Sequence, residues 1–100
     1  MRALKKMLAK GDAAAPAPPI FRAALPTDAA HRALTEKVER NQAKYRAELF
    51  RRMRVAGLEP PAFEAAIGLP KESWHASHVA MALRAVQNIE NGAAFELAWP

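Results

Sequence analysis

Glu72, His75 and His78 follow one another at three-residue intervals, a spacing that on a helix lines three metal-ligand types along one face. Glu-x-x-His is the ligand spacing of di-iron helical bundles, but those sites draw a second copy and further carboxylates from neighbouring helices. This chain has a single copy, so the expectation is polar histidines beside Trp74 and no metal. Protonation of such histidines below about pH 6.5 would add charge to any interface they line. Ser73 and Ser77 have histidine neighbours, yet on a helix residues one or two apart point in different directions, and no nucleophile elbow frames either serine. The chain has no glycine-rich phosphate loop. It has no cysteine either, which removes thiol nucleophiles, disulfides, cysteine zinc sites and iron–sulfur clusters. A protein that is not an enzyme and takes no cofactor is expected.

Cations offer the second kind of chemistry. The net charge is +5, and it is unevenly placed. Residues 1–12 contribute +3, residues 22–56 carry nine basic and four acidic side chains, and residues 57–100 hold Lys71 and Arg84 against five glutamates. On a continuous helix, Lys37, Arg40, Lys44, Arg51 and Arg54 form a ridge ~26 Å long, able to lie along a nucleic-acid backbone or an acidic protein surface. The competing arrangement is a solvated face on which Glu36–Arg40 and Lys44–Glu48 pair at i,i+4 spacing. The excess around Arg46, Arg51, Arg52 and Arg54, where Glu48 is the only nearby acid, favours a partner. A ridge of this kind carries no base-reading information by itself.

The elements that must present these residues are helices. Alanine occurs 24 times and leucine, arginine, lysine and glutamate dominate the remainder, a helix-forming composition poor in β-branched and aromatic residues. An all-α protein is expected, with residues 1–19 as a basic arm and Ala/Pro linker and residues 20–100 as one helical domain. Thr27 or Asp28 can cap a long amphipathic helix over about 28–56, which would be ~43 Å long. Its apolar stripe is Leu34, Val38, Tyr45, Leu49, Met53 and Ala56, with Phe50 left over for a second contact. Pro60 starts a short helix over about 60–67, ended by Gly68. From about 71 to 91 the pattern is helical again, as one helix or as two with Ser77 capping the second, and Val79, Leu83, Val86 and Ile89 make its apolar face. The apolar tail holds Phe95, Leu97 and Trp99, expected to anchor it on the domain or on a partner.

Within this layout Phe63, Ile67, Gly68, Leu69 and Trp74 stand at spacings that resemble the helix-turn-helix of repressor-type DNA-binding proteins. The resemblance covers residues 60–77 and implies that the residues after Gly68 open a helix that enters the major groove. Glu64 stands where that family has a small residue at the helix crossing, and Ser77 where it has a core residue. The segment is also acidic, whereas a groove reader needs cations around its recognition helix.

The sequence therefore points first to a non-catalytic accessory or structural subunit. Apolar helix faces, terminal arms and the basic ridge would dock it into a larger assembly containing protein partners or nucleic acid. A helix-turn-helix regulator is the alternative, and a protein inhibitor or chaperone a third reading. The apolar excess leaves room for self-association. Met1–Lys10 has the cations of a secretory leader, but Lys10, Gly11 and Asp12 interrupt it before an apolar core forms, and no stretch reaches the ~20 apolar residues of a membrane span. A cytoplasmic location is the expectation.

Overall fold

A computed structural model describes residues 21–100; the basic segment 1–12 and the Ala/Pro stretch 13–19 lie outside the described residues. The described chain is all-α: α1 (Ala29–Arg40), α2 (Gln42–Val55), α3 (Pro60–Ile67), a 3-10 turn (Lys71–Ser73), α4 (Ala76–Glu90) and α5 (Phe95–Ala98). None of these helices is long and apolar enough to cross a membrane.

The fold is organised around α4. Ala76, Val79, Ala80, Met81, Ala82, Leu83, Ala85 and Val86 are all buried. Four consecutive positions, Ala80 to Leu83, cannot share one face, so the middle of α4 is enclosed on most sides, while Arg84 is half-buried and Gln87 and Asn88 are exposed. The sequence pattern marks Val79, Leu83, Val86 and Ile89 as the apolar face; the structure adds Ala80, Met81 and Ala85, which lie off that stripe and are buried by close helix approach. Helices α1, α2 and α5 pack on α4, and Ile89 at its far end is half-buried.

The long helix expected over 28–56 is broken at Asn41. Asn41 has φ −156° and ψ 70°, its N–H donates to Val38 O at 3.1 Å, and its Oδ1 accepts from Lys44 N at 3.2 Å. One residue thus ends α1 and caps α2, since a short amide side chain can replace the backbone partners that a helix would supply. Packing gives the reason. A straight helix of ~43 Å would overrun the ~22 Å of α4 by half its length, whereas two pieces can each lay a stripe on it. Val38 from α1 and Leu49 and Met53 from α2 are fully buried, Leu34 and Tyr45 are half-buried, and Ala56 is exposed. At the start of α1, Asp28 Oδ2 accepts from His31 N at 3.2 Å, the expected cap.

Gly57 ends α2 at φ 76°, and Leu58 N donates back to Met53 O at 2.8 Å, a left-handed stop that reverses the chain into α3. Pro60 and Pro61 occupy the first two positions of α3, where their missing N–H groups would have had no partner. Gly68 closes α3 at φ 88°. The segment 71–91 resolves into the 3-10 turn, an extended Trp74–His75 step and α4. Here the capping residue is not Ser77: His75 N donates to His78 Nδ1 at 3.0 Å. Trp74 is buried, its ring stacks on Phe50 at 6.0 Å, and its Nε1 donates to Leu69 O at 3.0 Å.

Both ends of the described chain meet in an aromatic cluster. Phe63 lies 5.5 Å from Phe95 and 5.2 Å from Trp99, and Phe21 lies 6.1 and 6.2 Å from the same two rings. Ala23 N donates to Ala66 O at 2.8 Å, and Asn88 Nδ2 to Ala98 O at 2.7 Å. These contacts hold the extended segment before α1 and the C-terminal turn against α3 and α4.

Candidate functional site

The expected cationic ridge is Lys37 and Arg40 on α1 with Lys44, Arg51 and Arg54 on α2, and all five are exposed. Because the chain breaks at Asn41, they do not form one straight ~26 Å line; the structure presents two short groups on either side of a corner. The pairing also differs from the i,i+4 expectation. Glu48 turns to Arg51 rather than Lys44, with Nη2 to Oε2 at 2.7 Å and Nε to Oε1 at 3.1 Å. That bidentate contact holds the Glu48 carboxyl below the usual glutamate range.

Several other cations are engaged in holding the fold. Arg46 reaches from α2 to two backbone carbonyls, Lys71 O at 2.5 Å and Trp74 O at 3.1 Å. Arg52 forms a two-pronged pair with Glu90 at the end of α4, with Nε to Oε2 at 3.1 Å. Arg84 on α4 meets Asp28 at the start of α1 at 3.4 Å, whereas Lys71 pairs at 3.1 Å only with its exposed chain neighbour Glu72. Among the described residues, Lys37, Arg40, Lys44 and Arg54 have no carboxylate within 4.0 Å. Glu36 and Glu39 on α1 are also exposed and, among the described residues, unpaired, so the local excess there is small. It grows along α2, whose five cations face the single acid Glu48. The positive surface is therefore centred on α2, with Lys37 and Arg40 at its edge.

The tail residues divide. Phe95 and Trp99 are half-buried in the aromatic cluster of this chain, whereas Leu97 is 81% exposed. All three are expected from the sequence to anchor the tail on the domain or on a partner; Phe95 and Trp99 pack on the domain, and only Leu97 is turned outward, because α5 is a single turn whose other side packs on Phe63 and Asn88.

Glu72, His75 and His78 are not brought to one helical face. Glu72 sits in the 3-10 turn, and His75 in the extended step with its ring 5.5 Å from that of His78. No group of three metal-ligating side chains occurs among the described residues. The residues that resemble a helix-turn-helix do pack, with Phe63 and Trp74 buried and Ile67 and Leu69 half-buried. Glu64, out of place in that pattern, accepts from Lys71 N at 2.8 Å and so caps the 3-10 turn. After Gly68 the chain makes three residues of 3-10 turn and an extended step before α4, in place of the helix that the resemblance implies directly after the turn, and α4 is itself largely buried.

One polar residue was missed by the sequence pattern. His31 is 3% exposed at the α1–α4 contact, and neither ring nitrogen has a hydrogen-bond partner among the described residues. Its ring lines a cavity of about 300 Å³ with Pro26, Arg32, Thr35, Glu36 and Ser77, and Thr35 Oγ1 is likewise buried and unpartnered there. Burial, with the Arg84 cation nearby, lowers the His31 pKa against the opposing pull of Asp28 and the Ser77 backbone. A signal for it existed: positions 31, 34, 35 and 38 share one helical face, so a histidine seven residues before buried Val38 belonged to the apolar stripe. Comparison with protein-family models, with curated proteins and with solved structures finds no match to this chain.

Proposed function

We propose that this protein is a non-catalytic accessory subunit of a larger cytoplasmic assembly, docking through the basic outer face of α2 and its α1 flank onto an acidic surface. One observation carries the reading. Arg46, Arg52 and Arg84 are tied to partners on other elements of the fold, while Lys37, Arg40, Lys44 and Arg54 make no ion pair among the described residues. Exposed cations of this kind raise the local concentration of an acidic partner and speed its association, with an effect that weakens as salt rises. A groove-reading role has no comparable support, since the helix that would enter DNA is the core of the domain.

The test is retention of the purified chain on two immobilised polyanions, polyglutamate and a duplex DNA of arbitrary sequence, at low and high salt. Salt-sensitive retention that falls when Lys37, Arg40, Lys44 and Arg54 are changed to glutamine supports the reading. Preference for polyglutamate would place the partner among proteins, and equal binding of unrelated duplexes would place it among nucleic-acid backbones. Retention independent of those four residues would refute it.

A further inference from the structure

A depression of about 360 Å³ lies where α2 turns into α3, floored by Phe50, Met53, Leu58 and Pro60 and flanked by the exposed Arg54 and Glu59. Its lining is mostly apolar, a surface whose removal from water by an aliphatic side chain is favourable. Arg54 beside it has no carboxylate within 4.0 Å among the described residues. The C-terminal turn carries the complementary pair. Leu97, at 81% exposure, is the most exposed large apolar residue of the described chain, ahead of Val55 at 75% and Leu25 at 44%. Glu96 next to it is exposed and has no cation partner among the described residues.

We infer that a second copy of this chain docks at the α2–α3 depression, with its Leu97 on the apolar floor and its Glu96 carboxylate against Arg54. The protruding residues are held in place for this role, because Phe95 and Trp99 pack on Phe63 and Asn88 Nδ2 holds Ala98 O at 2.7 Å. Leu97 is consequently presented on a fixed turn and not on a free tail, which lowers the ordering cost of the contact. Glu59 on the other side of the depression repels a second carboxylate and so sets which way the Glu96–Leu97 pair lies. Each copy offers one tip and one groove. Such a head-to-tail contact builds a ring if the rotation closes and a filament if it does not. The contact shares Arg54 with the polyanion-docking face but does not rest on that reading, since its apolar half, Leu97 on Phe50, Met53, Leu58 and Pro60, involves none of the other docking cations.

Sedimentation velocity of the full chain at low salt, over a roughly hundredfold concentration range, reads the association directly. The expected result is a mass that rises above the monomer, with Leu97→Asp weakening association by about 10- to 100-fold, the factor that corresponds to burying one leucine side chain. Arg54→Glu and Glu96→Arg each weaken it, and the two together restore it. Leu25→Asp, an exposed apolar residue outside both patches, leaves it unchanged. A monomer at every concentration, association indifferent to Leu97→Asp, a charge swap that fails to restore it, or an equal loss with Leu25→Asp would each overturn the inference. All four residues are exposed, and unchanged thermal unfolding of the dilute variants separates a lost contact from a lost fold.

Discussion

Arg46 and Lys44 stand two residues apart on α2 and read alike in the sequence, yet the structure gives them opposite work. The Arg46 guanidinium spans two carbonyls of the 71–74 turn, Lys71 O at 2.5 Å and Trp74 O at 3.1 Å, and so binds α2 to the turn that delivers the chain into α4. Arg46→Met keeps most of the apolar stem and removes both contacts. A hydrogen bond from a charged group contributes about 1.5–3 kcal/mol, and because Arg46 is only partly buried the lower end applies. Two such bonds come to about 3 kcal/mol, a large part of the ~5–10 kcal/mol expected of a small domain. Arg46→Lys should lose about half of this, since a single ammonium cannot fork across two carbonyls. Lys44→Met, at an exposed position, should change stability by no more than about 0.5 kcal/mol. Urea unfolding followed by tryptophan emission measures all three. With a slope of about 1 kcal/mol/M, Arg46→Met moves the midpoint down by roughly 2–3 M. An Arg46→Met midpoint no lower than that of Lys44→Met would show that the bridge does not hold the turn.

Phe63→Ala removes the ring packed on both Phe95 and Trp99 and should cost about 3–5 kcal/mol, with tryptophan emission shifting to longer wavelength as Trp99 gains solvent; unchanged emission would contradict the aromatic cluster. Stability should also depend on pH through His31 and His78, both lowered from 6.5 by burial. A base with a depressed folded-state pKa binds its proton first in the unfolded chain, so this stability is full above pH 6.5 and is lost as pH falls through 6.5 toward the lowered values. His78 adds a structural cause, because its Nδ1 must be unprotonated to accept from His75 N. Urea midpoints should therefore fall between about pH 7.5 and about pH 5. That slope should flatten when His31 and His78 are both changed to glutamine, and an identical slope in the double variant would refute the assignment.

Helix class and several helix ends were legible in the sequence because the punctuation is strong. Asp28 caps, Gly57 and Gly68 stop, and Pro60 and Pro61 start, each through a local backbone effect that needs no tertiary partner. The break at Asn41 was not legible. Asparagine is tolerated inside a helix, and what ends α1 is the length of α4, a property of the assembled fold. The same holds for the alanines of α4, whose burial depends on three helices arriving from elsewhere. Of the candidate site, the exposure of Lys37, Arg40, Lys44, Arg51 and Arg54 followed from helical spacing. Their partners did not, since Arg46 and Arg52 find theirs 25 to 38 residues away, and Glu48 chose Arg51 over Lys44 by side-chain geometry. Phe95, Leu97 and Trp99 alternate in sequence, and a one-turn helix sends two of them inward and one outward, which no pattern over so short a segment could assign.

If the cations of α2 and its flank that form no ion pair among the described residues are a docking surface, an acidic polymer must find them. Binding of a labelled polyglutamate to the full chain, measured by fluorescence anisotropy against salt concentration, tests this most directly. Affinity should fall steeply with added salt and be lost when Lys37, Arg40, Lys44 and Arg54 become glutamine, while changing the internally paired Arg51 and Arg52 has the smaller effect. Binding that ignores salt, or that survives loss of those four cations, would contradict a docking role for this face.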